Sequence, residues 1–159
     1  GWVTVCELIN NCLVQVFSMA LDSNEGRGEG EEDEAVERLL GIKYTIAELA
    51  NEQVTELLRS KGIDVSTWWA TIDNYEFNIY GTNGQYTIVG DAYLIAGERH
   101  VTELVNNVRD ATTKHPEKFP GKVVIVVFTK RVLPSVVEFA RAMGVWLVSP
   151  YGEETEFPT

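Results

Sequence analysis

The stretch from Trp68 to Gly97, WWATIDNYEFNIYGTNGQYTIVGDAYLIAG, limits what this chain can become more than any other. At its centre Asn83-Gly84 lies between runs of aromatic and β-branched residues, the strongest short-range signal for a β-hairpin. A two-residue turn there pairs Thr82 with Gln85, and so Tyr80 with Thr87, Asn78 with Val89 and Glu76 with Asp91. Because side chains alternate along a strand, such a hairpin has two unlike faces. Tyr75, Phe77, Ile79, Tyr86, Ile88, Ala92 and Leu94 form one, which must be buried. Asn74, Glu76, Asn78, Tyr80, Thr87, Asp91 and Tyr93 form the other. That polar cluster on rigid strands is the place to look for function.

The flanking segments read as helices and further strands. From Val5 to Leu21, apolar residues recur at three- and four-residue spacing, which draws a stripe along one helix face. A hairpin turning at Asn10-Asn11 competes with that reading. Glu7, Asn10, Asn11, Gln15 and Ser18 interrupt the stretch, so a membrane span is not expected. Residues 1–21 form an N-terminal apolar segment, and Leu8, Ile9, Leu13, Val16 and Phe17 are its candidate oligomerisation surface. Asp22 to Glu34, DSNEGRGEGEEDE, is an acidic, glycine-rich flexible linker. A short helix from Ala35 stops at Gly41. Thr45 then caps a second, with Glu48 three residues on, and Lys61-Gly62 ends it.

Val65 to Ile72 is a first strand, followed by the hairpin. A helix runs from Glu98 or Thr102 to about His115, with His100 and His115 on its surface. Pro116 to Gly121 is a loop. KVVIVVF, Lys122 to Phe128, is continuously apolar, as expected of a parallel strand covered on both faces. Pro134 to Met143 is a helix, Val145 to Val148 a last strand, and residues 151–159 a tail without clear structure. The fold class is α/β with a mixed sheet, and residues 35–150 make one domain.

Charge narrows the function classes. The formal net charge is −11 and 45% of residues are hydrophobic, which excludes a disordered chain and argues against simple electrostatic binding of nucleic acid. The charge is uneven, however. Lys114, Lys118, Lys122, Lys130 and Arg131 make a basic patch conceivable on an acidic protein. Glu52 and Glu56, one helical turn apart, read as a solvated acidic edge. Cys6 and Cys12 provide neither a disulfide framework nor zinc spacing. With no basic leader before the apolar stretch, a cytoplasmic location is expected. P-loop, HExxH, CxxC and GxSxG patterns are all absent.

The order helix, three-strand meander, helix, strand, helix, strand resembles the PD-(D/E)XK nuclease-like superfamily, with archaeal Holliday-junction resolvase-like proteins the nearest comparison. The resemblance covers about Thr45 to Pro150. It rests on YEFNIYGTNGQYTIVGDAYLIAG, on the helix that follows, and on GKVVIVVF with RAMGVWLVSP. It implies a restriction-endonuclease-like core, with the first 21 residues as an N-terminal helical extension. It also implies an acid on the second strand and an acid-x-Lys on the third, which hold magnesium and orient water on a phosphate.

The matching positions here are Asn78, Asp91 and Tyr93. Asn78 has lost the charge that a hard cation favours, and Tyr93 cannot replace an ammonium. The site looks degenerate. Glu76 facing Asp91 would restore a weak magnesium or manganese site, and Arg99 or His100 could supply the missing positive charge. Three expectations follow. The first is a catalytically depleted domain that binds protein or itself, as a homo-oligomer and without a cofactor. The second is a magnesium-dependent endonuclease, and the third a weak, non-cleaving nucleic-acid-binding module.

Overall fold

A strand that is apolar on both faces needs cover above and below, and the sheet of this protein has it. The structure is a computed structural model and describes residues 29–159. The apolar N-terminal segment, its candidate oligomerisation residues and the first part of the linker fall outside the described residues. The elements are α1 (Glu29–Ser60), β1 (Trp68–Ile72), β2 (Tyr75–Thr82), β3 (Tyr86–Ile95), α2 (Glu98–Lys114), a 3-10 turn (Pro116–Lys118), β4 (Lys122–Arg131), α3 (Pro134–Ala142), β5 (Trp146–Ser149) and β6 (Gly152–Glu153). The six strands lie in the sheet in sequence order. β1, β2 and β3 form an antiparallel meander, β4 and β5 continue parallel to β3, and β6 turns back antiparallel on β5.

The two faces carry separate cores. Ala50, Val54 and Leu58 of α1 pack on Ile79, Ile88, Val124, Val126, Phe128, Trp146 and Val148. On the other face Val101, Leu104, Val105 and Val108 of α2 and Val136 and Ala140 of α3 meet Val89, Val127 and Leu147. The alternation along β4 explains the split: Val124, Val126 and Phe128 face α1, and Val127 faces α2. Among the described residues, no helix is long and apolar enough to cross a membrane.

Several expectations need correction. One continuous helix replaces the two expected between Ala35 and Lys61. Gly41 does not stop it, because a glycine costs an exposed helix only about 1 kcal/mol and the apolar period runs on through it. Thr45 is no cap: its hydroxyl donates back to the Gly41 carbonyl at 2.6 Å. Glu29 to Glu34, expected in the linker, are helical. Between Glu34 and Thr45 no residue is buried; Ile46 is the first that is. The tail also belongs to the fold. The Thr155 hydroxyl accepts the Leu147 N–H at 2.7 Å and donates to the Val145 carbonyl at 3.0 Å. Phe157 packs edge-on against Trp146, centroids 5.0 Å apart.

The hairpin forms in a different register. Thr82 pairs with Thr87, Tyr80 with Val89 and Ile79 with Gly90, so the loop has four residues instead of two. The Asn83 side chain is the reason. Its Oδ1 accepts the N–H groups of Gln85 and Tyr86, both at 2.9 Å, and Gly84 takes the left-handed conformation, φ 88°. A two-residue slip leaves the β3 side chains on their expected faces but changes every partner. Glu76 therefore does not face Asp91; it pairs with Thr71 of β1.

Candidate functional site

The site at which the resemblance points is a fork in the sheet. Trp68 pairs with Tyr80 but Ala70 with Phe77, so β2 carries one extra residue between Phe77 and Tyr80, a β-bulge. The bulge turns Phe77 into the α2-side core, whereas Ile79, expected on the same face, packs beneath α1. The β2–β3 ladder ends here, at Ile79 and Gly90. Beyond it β3 continues to Ile95 on β4 alone.

Side chains replace the missing ladder bonds. The Asn78 N–H donates to Asp91 Oδ1 and the Ala92 N–H donates to Asn78 Oδ1, each at 3.1 Å. From α1, the buried Asn51 amide donates to the Asn78 carbonyl at 3.0 Å and to the Ala47 carbonyl at 2.8 Å. The Thr67 hydroxyl donates to Asn51 Oδ1 at 2.8 Å. A bulge leaves backbone groups without ladder partners, and buried groups of that kind cost about 1–3 kcal/mol each if unmet. Asn51, Asn78 and Asp91 meet them.

Asp91 pairs with Val127 of β4 and stands on the α2 side of the sheet. Burial pushes its carboxyl up to about 6, against the hydrogen bonds from Asn78 and Tyr93 and the charge of Lys43, with Glu76 pushing up as well. The Tyr93 hydroxyl donates to Asp91 Oδ2 across a long 3.5 Å, and burial, then the Asp91 charge, holds it well above the ordinary tyrosine range. The Tyr93 ring stacks on His100 with centroids 4.6 Å apart. His100, expected on the surface, is buried. Its Nδ1 accepts the Gly97 N–H at 2.9 Å, so that nitrogen carries a lone pair and the ring anchors the start of α2. Arg99 reaches Glu103 at 2.9 Å. The cation that acts on Asp91 is Lys43 of α1, which the sequence reading passed over.

Asn51 was also missed, although a signal existed: it is a polar residue inside the apolar stripe of Ala47, Ala50 and Val54. On the rest of the polar face Asn74 and Glu76 are exposed, whereas Tyr80 and Thr87 are tied to the loop before β4. Thr87 is buried and donates to the Pro120 carbonyl at 2.7 Å, and Tyr80 donates to the Lys118 carbonyl. Magnesium requires several hard oxygens in near-octahedral array. The fork offers one half-buried carboxylate already holding an N–H. No group of three or more His, Cys, Asp or Glu able to hold a metal forms among the described residues.

The basic residues are not one patch either. Lys122 opens β4 and Lys130 stands eight residues along it, about 26 Å away at the rise of a strand. Lys114 is held by Asp110 at 3.0 Å and Asp73 at 3.7 Å, and the Lys122 ammonium donates to the Pro158 carbonyl at 2.6 Å.

A family model matches residues 48–157, well over half of the chain, and its description is a domain of unknown function, DUF8196. The chain belongs to the DUF8196 family. No curated protein and no solved structure matches it. The DUF8196 match begins two residues after Ile46, the first buried side chain of α1, and ends on Phe157, so it spans the whole sheet and includes Asn51, Asn78, Asp91 and Tyr93.

Proposed function

We propose that this is a catalytically depleted nuclease-fold domain that acts by binding protein or a second copy of itself. The order helix, antiparallel meander, helix, parallel strand supports a restriction-endonuclease-like core. One observation carries the reading of the site: at the positions where the resemblance expects metal ligands, Asn78 and Asp91 close a bulged fork through the backbone N–H groups of Asn78 and Ala92. The third position is an aromatic ring stacked on His100. Side chains committed to the sheet in this way hold the fold and leave no water-activating ion.

The expected result is no magnesium- or manganese-dependent cleavage of plasmid or branched DNA, and no metal heat in calorimetry. Asn78→Asp with Tyr93→Lys places a second carboxylate beside Asp91. Without metal the pair repels and the variant loses stability; with metal it gains affinity. Cleavage by the natural chain that Asp91→Ala abolishes would replace this reading with the magnesium-dependent endonuclease, which the half-buried Asp91 charge favours as the second reading. A weak Mg/Mn site would appear in the same titration. DNA binding, if measured, should be weak and fall steeply with salt, because the bases are few and separated.

Self-association is assigned to Leu8, Ile9, Leu13, Val16 and Phe17. Leu13→Glu with Phe17→Glu should move the mass in light scattering toward the monomer. A natural chain that is already monomeric at micromolar concentration would refute that assignment.

A further inference from the structure

We propose that the groove beside α1 at the free edge of β1 docks an extended polypeptide segment bearing lysine or arginine side chains around an apolar residue. The proposal rests on the binding reading above and names its partner class. The groove measures about 940 Å³, and Glu48, Leu49, Glu52, Glu56 and Trp68 are among its lining residues. The three glutamates recur every four residues, so they form a row along one side of the helix, and all three are exposed. Glu56 meets Arg59 at 3.0 Å. Glu48 and Glu52 have no ion-pair partner among the described residues. With Arg59 compensating Glu56 alone, the row is a net negative rim, which a cationic segment complements and a phosphate backbone does not.

Beside the rim stand two large apolar groups, Trp68 at 59% exposure and Leu49 at 41%. Trp68 is not loose. It stacks on Trp69 with centroids 6.5 Å apart, and Trp69 stacks on Tyr44 at 4.7 Å. An exposed indole held by its neighbours is a preorganised anchor of the kind that dominates interfaces. An indole face next to carboxylates suits a lysine or arginine, which gains a cation–π contact and a charge-assisted hydrogen bond together.

The backbone contributes a third element. Among the described residues β1 pairs only with β2, and WWATI holds no charge and no proline to protect its outer edge. An extended segment can add to such an edge through main-chain hydrogen bonds. A second copy of the chain is a poorer occupant. It brings its own −11 charge, and several of its bases are already paired: Lys61 with Glu153, Lys114 with Asp73 and Asp110, Arg141 with Glu138 and Glu156.

Fluorescence anisotropy of a dye-labelled heptapeptide of alternating lysine and leucine, titrated with the full chain, tests the proposal. The expected result is saturable micromolar binding that weakens at least about tenfold in Glu48→Gln/Glu52→Gln and again in Trp68→Ala. A charge-matched control, Glu98→Gln/Glu117→Gln, should change it less than about twofold. All four glutamates and Trp68 are outside the cores, and circular dichroism of each variant confirms that it is folded. Equal weakening by the two glutamate pairs would reduce the effect to net charge and overturn the proposal. So would indifference to Trp68→Ala, a DNA oligonucleotide competing for the groove, or light scattering in which the peptide dissociates a dimer. Binding that appears only after residues 1–28 are removed would assign the groove to the chain's own segment, and would overturn it too. Metal-dependent DNA cleavage would instead defeat the underlying binding reading, whatever the peptide does.

Discussion

Replacing Gly90 with alanine is expected to destabilise the fold by at least about 3 kcal/mol. Gly90 lies in β3 opposite Ile79, at the last rung before the fork, and β4 passes close on its other side. A Cβ there would overlap the Val126 carbonyl oxygen and stand 2.8 Å from Val126 Cγ1. Both obstacles sit in a fully buried stretch of β4, so neither can swing away. The alternative is to part β3 from β4, which breaks the parallel ladder at the centre of the sheet. Urea unfolding should therefore show a much lower midpoint, with Gly41→Ala as the contrast. Gly41 has nothing within 4 Å of its added Cβ and lies in an exposed helical turn. That substitution should be neutral or stabilising by up to about 1 kcal/mol. Equal effects from the two would mean that the close approach of β3 to β4 is absent in solution.

The second large effect concerns Asp91 and pH. Its carboxyl is raised to about 6 from 3.8, first by burial. A raised acid binds its proton more tightly in the native state than in the unfolded chain. Its contribution is favourable below about pH 4 and is lost as pH rises through about 6. At pH 7.5 the charged form therefore costs roughly 2–3 kcal/mol relative to the protonated one. The groups that bear on it are Tyr93, Lys43 and Glu76. Asp91→Asn keeps an oxygen for the Asn78 N–H and removes the charge. It should stabilise the protein by about 2 kcal/mol at pH 7.5 and flatten the pH dependence between about 4 and 6. Asp91→Ala leaves the Asn78 N–H without its acceptor and should cost about 1–3 kcal/mol at the same pH. Stability that is equal across the three proteins at pH 7.5 would remove Asp91 from the structural role assigned to it. Stability of the natural chain that rises with magnesium would point the other way, to a carboxylate kept charged for an ion.

Much of the fold was legible because it rests on periodicity. The alternation around Asn83-Gly84, the unbroken apolar run of KVVIVVF and the stripe from Ala47 to Leu58 each announce an element, and their order implies a mixed sheet covered by helices. The register was not legible, since it depends on one side-chain oxygen: Asn83 Oδ1 captures two N–H groups and lengthens the loop. The bulge left less trace, for no glycine or proline marks Asn78-Ile79. Asn51 alone hints at it, as a polar residue on an apolar helix face. His100 looked like a surface residue because its partner is a backbone N–H, and the sequence carries no sign of that. The five basic residues looked like a patch because they are close in sequence, whereas a strand carries neighbours apart at about 3.3 Å per residue. The positions of Asn78, Asp91 and Tyr93 came from the family resemblance, and the alternation of the hairpin put them on one face.

The strand order carries a consequence for how the chain assembles. Because the six strands lie in the sheet in the order of synthesis, no strand must be inserted between two that are already paired. The meander can form as soon as Ile95 is made, and β4 and β5 then add one after another at the same growing margin, a low-contact-order route that favours rapid folding. α1 is the exception. It precedes every described strand, yet its contacts reach Trp146 and Val148, and the Gln53 amide donates to the Ser149 carbonyl at 3.1 Å. This helix must therefore wait for nearly the last strand before its apolar side is closed. Through that interval the stripe from Ala47 to Leu58 is the surface most in need of a chaperone.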